Sequence, residues 1–373
     1  MAKSKKHPAD SEPVPLADHG WFYAGGEYVG QGGEHGGGHM LRGAMYVERF
    51  VPAKQTKPYP VVMIHGAGQT GNNFTGTPDG RRGWAHDFLR AGYTVYVADQ
   101  PARGRSGQSP SFYGDYARRP GGNIPVEQRF TAPETAKLWP QAVRHTQWPG
   151  AGQKGDPAFD QFFASQVESF ADPDETERMN QKAGAALLDR IGPAIVMVHS
   201  QSGSFGWLIA DARPKLVKAI LAIEPNGPPF FDVDFKGAPE WFAFGAKPSR
   251  KWGIARIPLT YAPPVKSPEE IERRLEDEPP SPEHVRCYIQ AAPARRLPNL
   301  AGIPILILAA EASYHAAYDH ATSKYLTQAG VENDFVRLED VGLPGNGHMI
   351  MCESNNHEVA DFLLGWLERR VGA

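Results

Sequence analysis

The residues with the clearest chemical potential lie in Ile195-Val196-Met197-Val198-His199-Ser200-Gln201-Ser202-Gly203-Ser204. A short β-rich apolar run ends there in a hydroxyl-rich corner. A helix-like segment, Phe205 to Ala212, follows and stops before Pro214. Strand, tight turn and helix together lift a serine hydroxyl above a sheet, with the turn's N–H groups facing the same space. Such a hydroxyl attacks a carbonyl when three further parts are present. These are a base for its proton, a group that orients the base, and donors for the oxyanion.

Two serines compete for the nucleophile's role. Ser202 has small neighbours two positions away on each side, Ser200 and Ser204. The apolar strand runs directly into His199-Ser200, which favours Ser200. Against a Gly-His-Ser-x-Gly-Gly elbow the departure is Val198, a bulky residue where glycine is usual, and it keeps Ser202 as the alternative. With Ser200 as nucleophile, the Gln201 N–H is one oxyanion donor. The other is expected from Ala67, with Gly68 as the alternative, in the loop after the buried strand Pro60 to Gly66; small residues there let backbone approach a substrate closely.

The expected base is His348, in the glycine-rich loop Gly342 to Met349, after the last strand and before the last helix. The orienting carboxylate must reach the far ring nitrogen and fix the tautomer. Glu224, Glu311 and Asp319 all lie between Ser200 and His348 and are candidates. His65 and His199 are expected to bond loop backbone, Asp99 to bond turn N–H groups, and Arg103 and Arg105 to anchor a loop. His35 and His39 sit among glycines that do not hold them on one helix face, so no metal site is expected there. No cofactor is expected.

The elements that must position these residues follow from the pattern. A flexible tail is expected over residues 1–20, then an aromatic strand Trp21 to Val29 in a hairpin with Gly43 to Val51. Helices are expected over Arg82–Ala91, Asp172–Arg190 and Asp319–Gly330. Asp172-Pro173-Asp174-Glu175 supplies a cap, a proline at the first position and acids near the positive end of the dipole. Further strands are expected over Tyr93–Asp99, Lys218–Pro225, Ile303–Glu311 and Asp334–Leu338. Val359, Phe362, Leu363, Trp366 and Leu367 recur at helical spacing and predict an amphipathic C-terminal helix. Strands alternating with helices imply a mostly parallel sheet covered on both faces, with chemistry at the strands' carboxyl ends.

This places the core in 21–225 and 301–373, with an irregular insertion at about 108–171. A cap insertion is expected over 226–300, where Lys266 to Glu278 reads as an exposed charged helix. The aromatic residues of that insertion, Phe230, Phe231, Phe235, Trp241, Phe242, Phe244, Trp252 and Tyr261, either line an acyl or aryl pocket or fasten the cap to the body.

At these residues the chain resembles a bacterial serine-esterase subfamily of the α/β-hydrolase superfamily, the Alcaligenes-type esterases. The matching pieces are His65-Gly66 with Gln69-Thr70-Gly71, Asp99 to Gly104, His199-Ser200-Gln201, Ile223 to Gly227, and Gly345 to Met349. The resemblance implies an α/β-hydrolase fold, Ser200 as nucleophile, His348 as base, and an acid after the sixth strand, Glu224, rather than after the seventh. Some members carry adjacent cysteines after the His-Gly pair. Here those positions are Ala67 and Gly68, so any role of such a disulfide is absent.

Composition bounds the reading. A chain of 373 residues, 41% hydrophobic, suffices for one large α/β domain with insertions. A net charge of −3 gives no signal for nucleic acid. No run is long and apolar enough for a membrane span. Two cysteines, Cys287 and Cys352, form no disulfide framework, though one pair is open to them. The sequence as it stands reads as cytoplasmic, or as periplasmic or secreted if a signal peptide has been removed. The leading expectation is a carboxylesterase acting on a small-molecule ester. A lactonase or carbon–carbon bond hydrolase on the same triad is the nearest alternative, and a non-catalytic binding relative is the alternative of another class. A homo-oligomer stays open.

Overall fold

The computed structural model describes residues 12–30, 38–117 and 121–372. Eight strands form its central sheet: β1 (Leu16–Gly30), β2 (His39–Pro52), β3 (Val61–Ile64), β4 (Val95–Asp99), β5 (Ala194–His199), β6 (Val217–Ile223), β7 (Ile305–Ala309) and β8 (Asp334–Arg337). Their spatial order is β1-β2-β4-β3-β5-β6-β7-β8. The β1–β2 hairpin and the β2–β4 pair are antiparallel; every pair from β4 onward is parallel. Five helices flank it: α1 (Trp84–Arg90), α2 (Pro173–Ile191), α3 (Gly203–Ala212), α4 (Asp319–Gln328) and α5 (Asn356–Val371).

Successive side chains of a strand point to opposite faces, so a strand covered on both sides is apolar throughout. β5 follows this rule. Val196 and Val198 pack with Leu187 and Leu188 of α2 and with Phe205, Leu208 and Ile209 of α3. Ile195 and Met197 pack on the other face with Phe88 of α1 and with Val359, Leu363, Trp366 and Leu367 of α5. Helix α2 starts where the sequence places it, with the Asp172 carboxylate accepting from the Asp174 and Glu175 N–H groups at 3.0 Å each.

Three expectations change. Strand β1 begins at Leu16, so residues 16–20 belong to the hairpin rather than to a tail. Its outer position leaves it mostly exposed, which hides it among polar residues. The run Lys266 to Glu278 forms no helix. It makes one 3₁₀ turn, Pro268–Glu270, and Arg273–Leu275 pairs antiparallel with Tyr288–Gln290. Ile271 and Glu276 are buried, and their tertiary contacts override the helix propensity of the charged residues. The segment 226–300 is also divided. Phe230, Trp252 and Tyr261 join the core beside α2 and α3, whereas Phe235 packs against Tyr314 at 5.6 Å. The 108–171 segment consists of short pieces, among them helices Asn123–Val126, Pro133–Ala136 and Pro157–Ala164.

Candidate active site

Strand β5 delivers His199, and the chain then turns sharply. Ser200 takes a left-handed conformation, φ +52°, costing about 1–3 kcal/mol for a residue with a side chain. The turn is tight because two glycines let other chain segments in. A Cβ on Gly66 would lie 2.9 Å from Ser200 Cβ, and one on Gly203 would lie 2.4 Å from Pro225 Cβ. The bulky Val198 is accommodated by a third: a Cβ on Gly206 of α3 would come within 3.1 Å of the valine methyl. The small residue that an elbow usually takes from its strand is supplied here by its helix.

The two serines separate cleanly. The Ser202 hydroxyl is fully buried, accepts the His199 N–H at 2.8 Å and donates to the Ile64 carbonyl at 2.7 Å. It stitches β5 to β3. Ser200 is half-buried at the head of the turn, and its side chain reaches the Tyr314 hydroxyl.

Glu224 follows β6, also left-handed at φ +45°. Its carboxylate accepts from the Ala310 N–H at 2.8 Å, the Ser313 hydroxyl at 2.7 Å and His348 Nδ1 at 2.6 Å. His348 is buried, and its carbonyl accepts from His199 Nε2 at 3.0 Å. Nε2 of His348 faces the Tyr314 hydroxyl at 3.1 Å. Phe130 stacks on one side of the ring, at 5.2 Å, and His315 lies nearly parallel to it at 4.8 Å. Burial holds the His348 imidazole well below 6.5 and pushes the Glu224 carboxyl up, while the Ala310 and Ser313 donors pull the carboxyl back toward carboxylate. A neutral imidazole with its proton on Nδ1 leaves Nε2 free to accept, the form a general base requires.

The other two acids lie elsewhere. Glu311 accepts the Gly345 N–H at 2.8 Å, and Asp319 pairs with His315 Nδ1 at 3.0 Å. Asp99 accepts from the Gly71 N–H and from Arg105, and His65 accepts the Gln100 N–H at 3.2 Å, both as the sequence suggests. Ala67 follows the glycine that touches Ser200. The Gln201 N–H stands at the start of the 3₁₀ turn Ser200–Ser202, where a helix has no internal acceptor for it. The Gly68 carbonyl accepts the Val167 N–H at 2.8 Å and ties this loop to the 108–171 segment. His39 opens β2 and is exposed; His35 lies outside the described residues. Cys287 and Cys352 are free and buried. Donor atoms of Glu224, His315 and His348 lie within 4.8 Å of one another, as do those of Glu276, Cys287 and His320. Glu276 is already held by Lys324 Nζ at 2.8 Å and the Cys287 N–H at 3.0 Å, so ion pairing accounts for the second group.

Three features escaped the sequence reading. Buried Arg103 does more than anchor its own loop: it donates to the Gly66 carbonyl at 2.9 Å and to Gln201 Oε1 at 3.2 Å, joining the two loops that flank Ser200. Tyr314 stands beyond the carboxyl end of β7, and nothing in the sequence aims its hydroxyl. His145 bridges Glu134 at 2.8 Å and Glu353 at 2.9 Å, and no spacing signals it.

This sheet order, with a serine elbow after β5, an acid after β6 and a histidine after β8, defines an α/β-hydrolase. Residues 61–362 match the model of the alpha/beta hydrolase family, and the chain belongs to that family. A fungal relative, the probable secreted lipase phiG of Fungal sp. (strain ATCC 74256), is 45% identical over 351 residues, 94% of this chain and 89% of that protein. A solved structure described as a novel bacterial esterase superposes with a TM-score of 0.64 at 24% identity, covering 98% of this chain and 99% of that one. This second likeness bears on the fold. Among the described residues no helix is long and apolar enough to cross a membrane.

Proposed function

We propose that the chain is a serine hydrolase that cleaves carboxylic esters through an acyl-enzyme, with Ser200 as nucleophile, His348 as base and Glu224 as the orienting acid. The observation that carries this reading is the buried Glu224–His348 pair at 2.6 Å, with the other ring nitrogen of His348 3.1 Å from the Tyr314 hydroxyl, which the Ser200 side chain also reaches. His348 takes the Ser200 proton while Oγ adds to the ester carbonyl. The Ala67 and Gln201 N–H groups hold the oxyanion. The alkoxy oxygen departs with the proton from His348, and water then enters by the same route to release the acid. The short helices of 123–164 and the ribbon of 233–244 form the cap over this site, since Phe130 and Phe235 reach its rings. The relative named as a lipase favours an ester substrate over a lactone or a carbon–carbon bond.

A fluorophosphonate probe and two substitutions test it. Ser200→Ala should abolish labelling and lower kcat by about 10⁶-fold. Ser202→Ala should keep labelling but destabilise the fold by about 1–3 kcal/mol, because the His199 N–H and the Ile64 carbonyl lose their buried partner. Labelling of Ser200→Ala at the wild-type rate would transfer the role to Ser202. A wild-type enzyme that takes no label would point to a binding protein.

A further inference from the structure

Tyr314 is placed with unusual care for a residue outside the triad. Its hydroxyl is 3.1 Å from His348 Nε2, and the Ser200 side chain reaches the same oxygen. It therefore neighbours both groups of the proposed proton transfer. Its ring is packed edge-on by Trp139 at 5.8 Å and Phe235 at 5.6 Å, one from each long insertion, and by Tyr318 at 6.3 Å. The turn that carries it is built with the acid. Ser313, the residue before it, donates to Glu224 at 2.7 Å and accepts the His315 N–H at 3.1 Å. A phenylalanine would fill the same aromatic box. The hydroxyl instead aims at the reacting atoms, although a buried tyrosine more simply bonds a backbone carbonyl. Burial raises the phenol above its ordinary 10.0, so the group remains a donor across the working pH range.

We infer that Tyr314 is a further catalytic residue, whose O–H donates a hydrogen bond to the departing oxygen in both halves of the ester cleavage. This rests on the Ser200–His348 reading. In the resting site His348 carries its proton on Nδ1, and the Tyr314 O–H donates to Nε2. When substrate enters, Nε2 takes the Ser200 proton and the Tyr314 hydrogen turns to the ester's alkoxy oxygen. In acylation the carbon–alkoxy bond breaks, its electron pair goes to that oxygen, and the proton on Nε2 follows. In deacylation water gives a proton to Nε2 and its hydroxyl adds to the acyl carbon. The bond to Ser200 Oγ then breaks, and Oγ takes back the proton. Tyr314 keeps its own proton throughout. Its work is to stabilise charge on an oxygen before the proton arrives, which matters most when the leaving alcohol is a weak acid.

Leaving-group dependence in Tyr314→Phe isolates this role. The experiment compares kcat/KM for p-nitrophenyl acetate, whose phenolate leaves readily, with that for ethyl acetate. The expected loss is about 10–100-fold for the alkyl ester and a few-fold at most for the aryl ester, the range of one charge-assisted hydrogen bond. The ratio of the two losses does not depend on how much of the variant is folded. Equal losses for both esters would make Tyr314 a packing residue, and a gain in rate would make it a barrier between Ser200 and His348; either result overturns the inference. Fluorophosphonate labelling of the variant is measured in parallel. If wild type and variant both resist the probe, the triad reading fails. If both are labelled while the ratio stays at one, only the role of Tyr314 fails.

Discussion

Ser200 and Glu224 are both non-glycine residues in the left-handed region, at the ends of adjacent strands β5 and β6. Strain of this kind persists only where surroundings over-determine it. Around Glu224 those surroundings are three donors on one carboxylate. They also distinguish it from Glu311, which accepts from the backbone of the loop carrying His348 and pairs with Arg144 at 3.9 Å. Glu224→Gln should therefore lower kcat by about 10⁴-fold in a folded enzyme, because an amide at that position no longer fixes the Nδ1–H tautomer. Glu311→Gln should cost less than about tenfold, since an amide oxygen still accepts the Gly345 N–H. Steady-state kinetics on the two purified variants checks this. The opposite ranking would move the acid to the end of β7.

At the scale of elements, the elbow is a contact between helix α3 and the chain leaving β6. Gly203 is the first residue of α3, and a Cβ there would meet Pro225 Cα at 2.5 Å and the Asn226 N at 2.8 Å. These are backbone-linked atoms with no flexible end to yield. Gly203→Ala should thus destabilise by about 1–3 kcal/mol and reduce turnover, because the turn holding Ser200 must open. Gly365 in α5 is the contrast, since its Cβ would meet only the tip of Arg369 at 3.4 Å. Gly365→Ala should gain up to about 1 kcal/mol from helix propensity with turnover unchanged. Denaturant melts and kcat measured on both variants separate a position that needs glycine from one that merely contains it.

At the scale of the whole molecule, the long insertion before β5 is fastened to the His348 loop by a buried ion pair. His145 sits between Glu134 and Glu353, and Glu353 accepts the Gly347 N–H at 2.8 Å and the Asn346 side chain at 2.7 Å. Burial lowers the His145 pKa, but the two carboxylates outweigh it and lift it from 6.5 to about 9. A raised histidine contributes its full stability below the unfolded value and loses it as pH rises through the folded one. The thermal midpoint should therefore fall by a few degrees between pH 6.5 and about 9. His145→Gln should start lower and lose that slope. A wild-type midpoint that stays level or rises across the window, with the variant parallel to it, would show that the pair does not hold the insertion in place.

The order of strands and helices was legible because burial on two faces writes a continuous apolar run, as in β5, and because Asp172 and Pro173 announce a helix start. The serine turn at the end of β5 and the glycine-rich loop carrying His348 between β8 and α5 were legible too, since only a few residue types can serve as nucleophile or base. Other features depend on atoms brought together from distant parts of the chain. Whether Ser200 or Ser202 is free was decided by the Ile64 carbonyl, and which acid meets His348 by donors from 310 and 313. The partner that lets Val198 stand in the elbow is a glycine eight residues later, on a neighbouring helix. Lys266 to Glu278 was misread because local propensity is weak beside the contacts of Ile271 and Glu276. Sequence by itself determined which residue types were available and on which strand ends they stood. Only the tertiary structure decided that the Ser202 hydroxyl is taken up between β5 and β3 and that Glu224 is the carboxylate paired with His348, because these bonds join atoms that are distant in the chain.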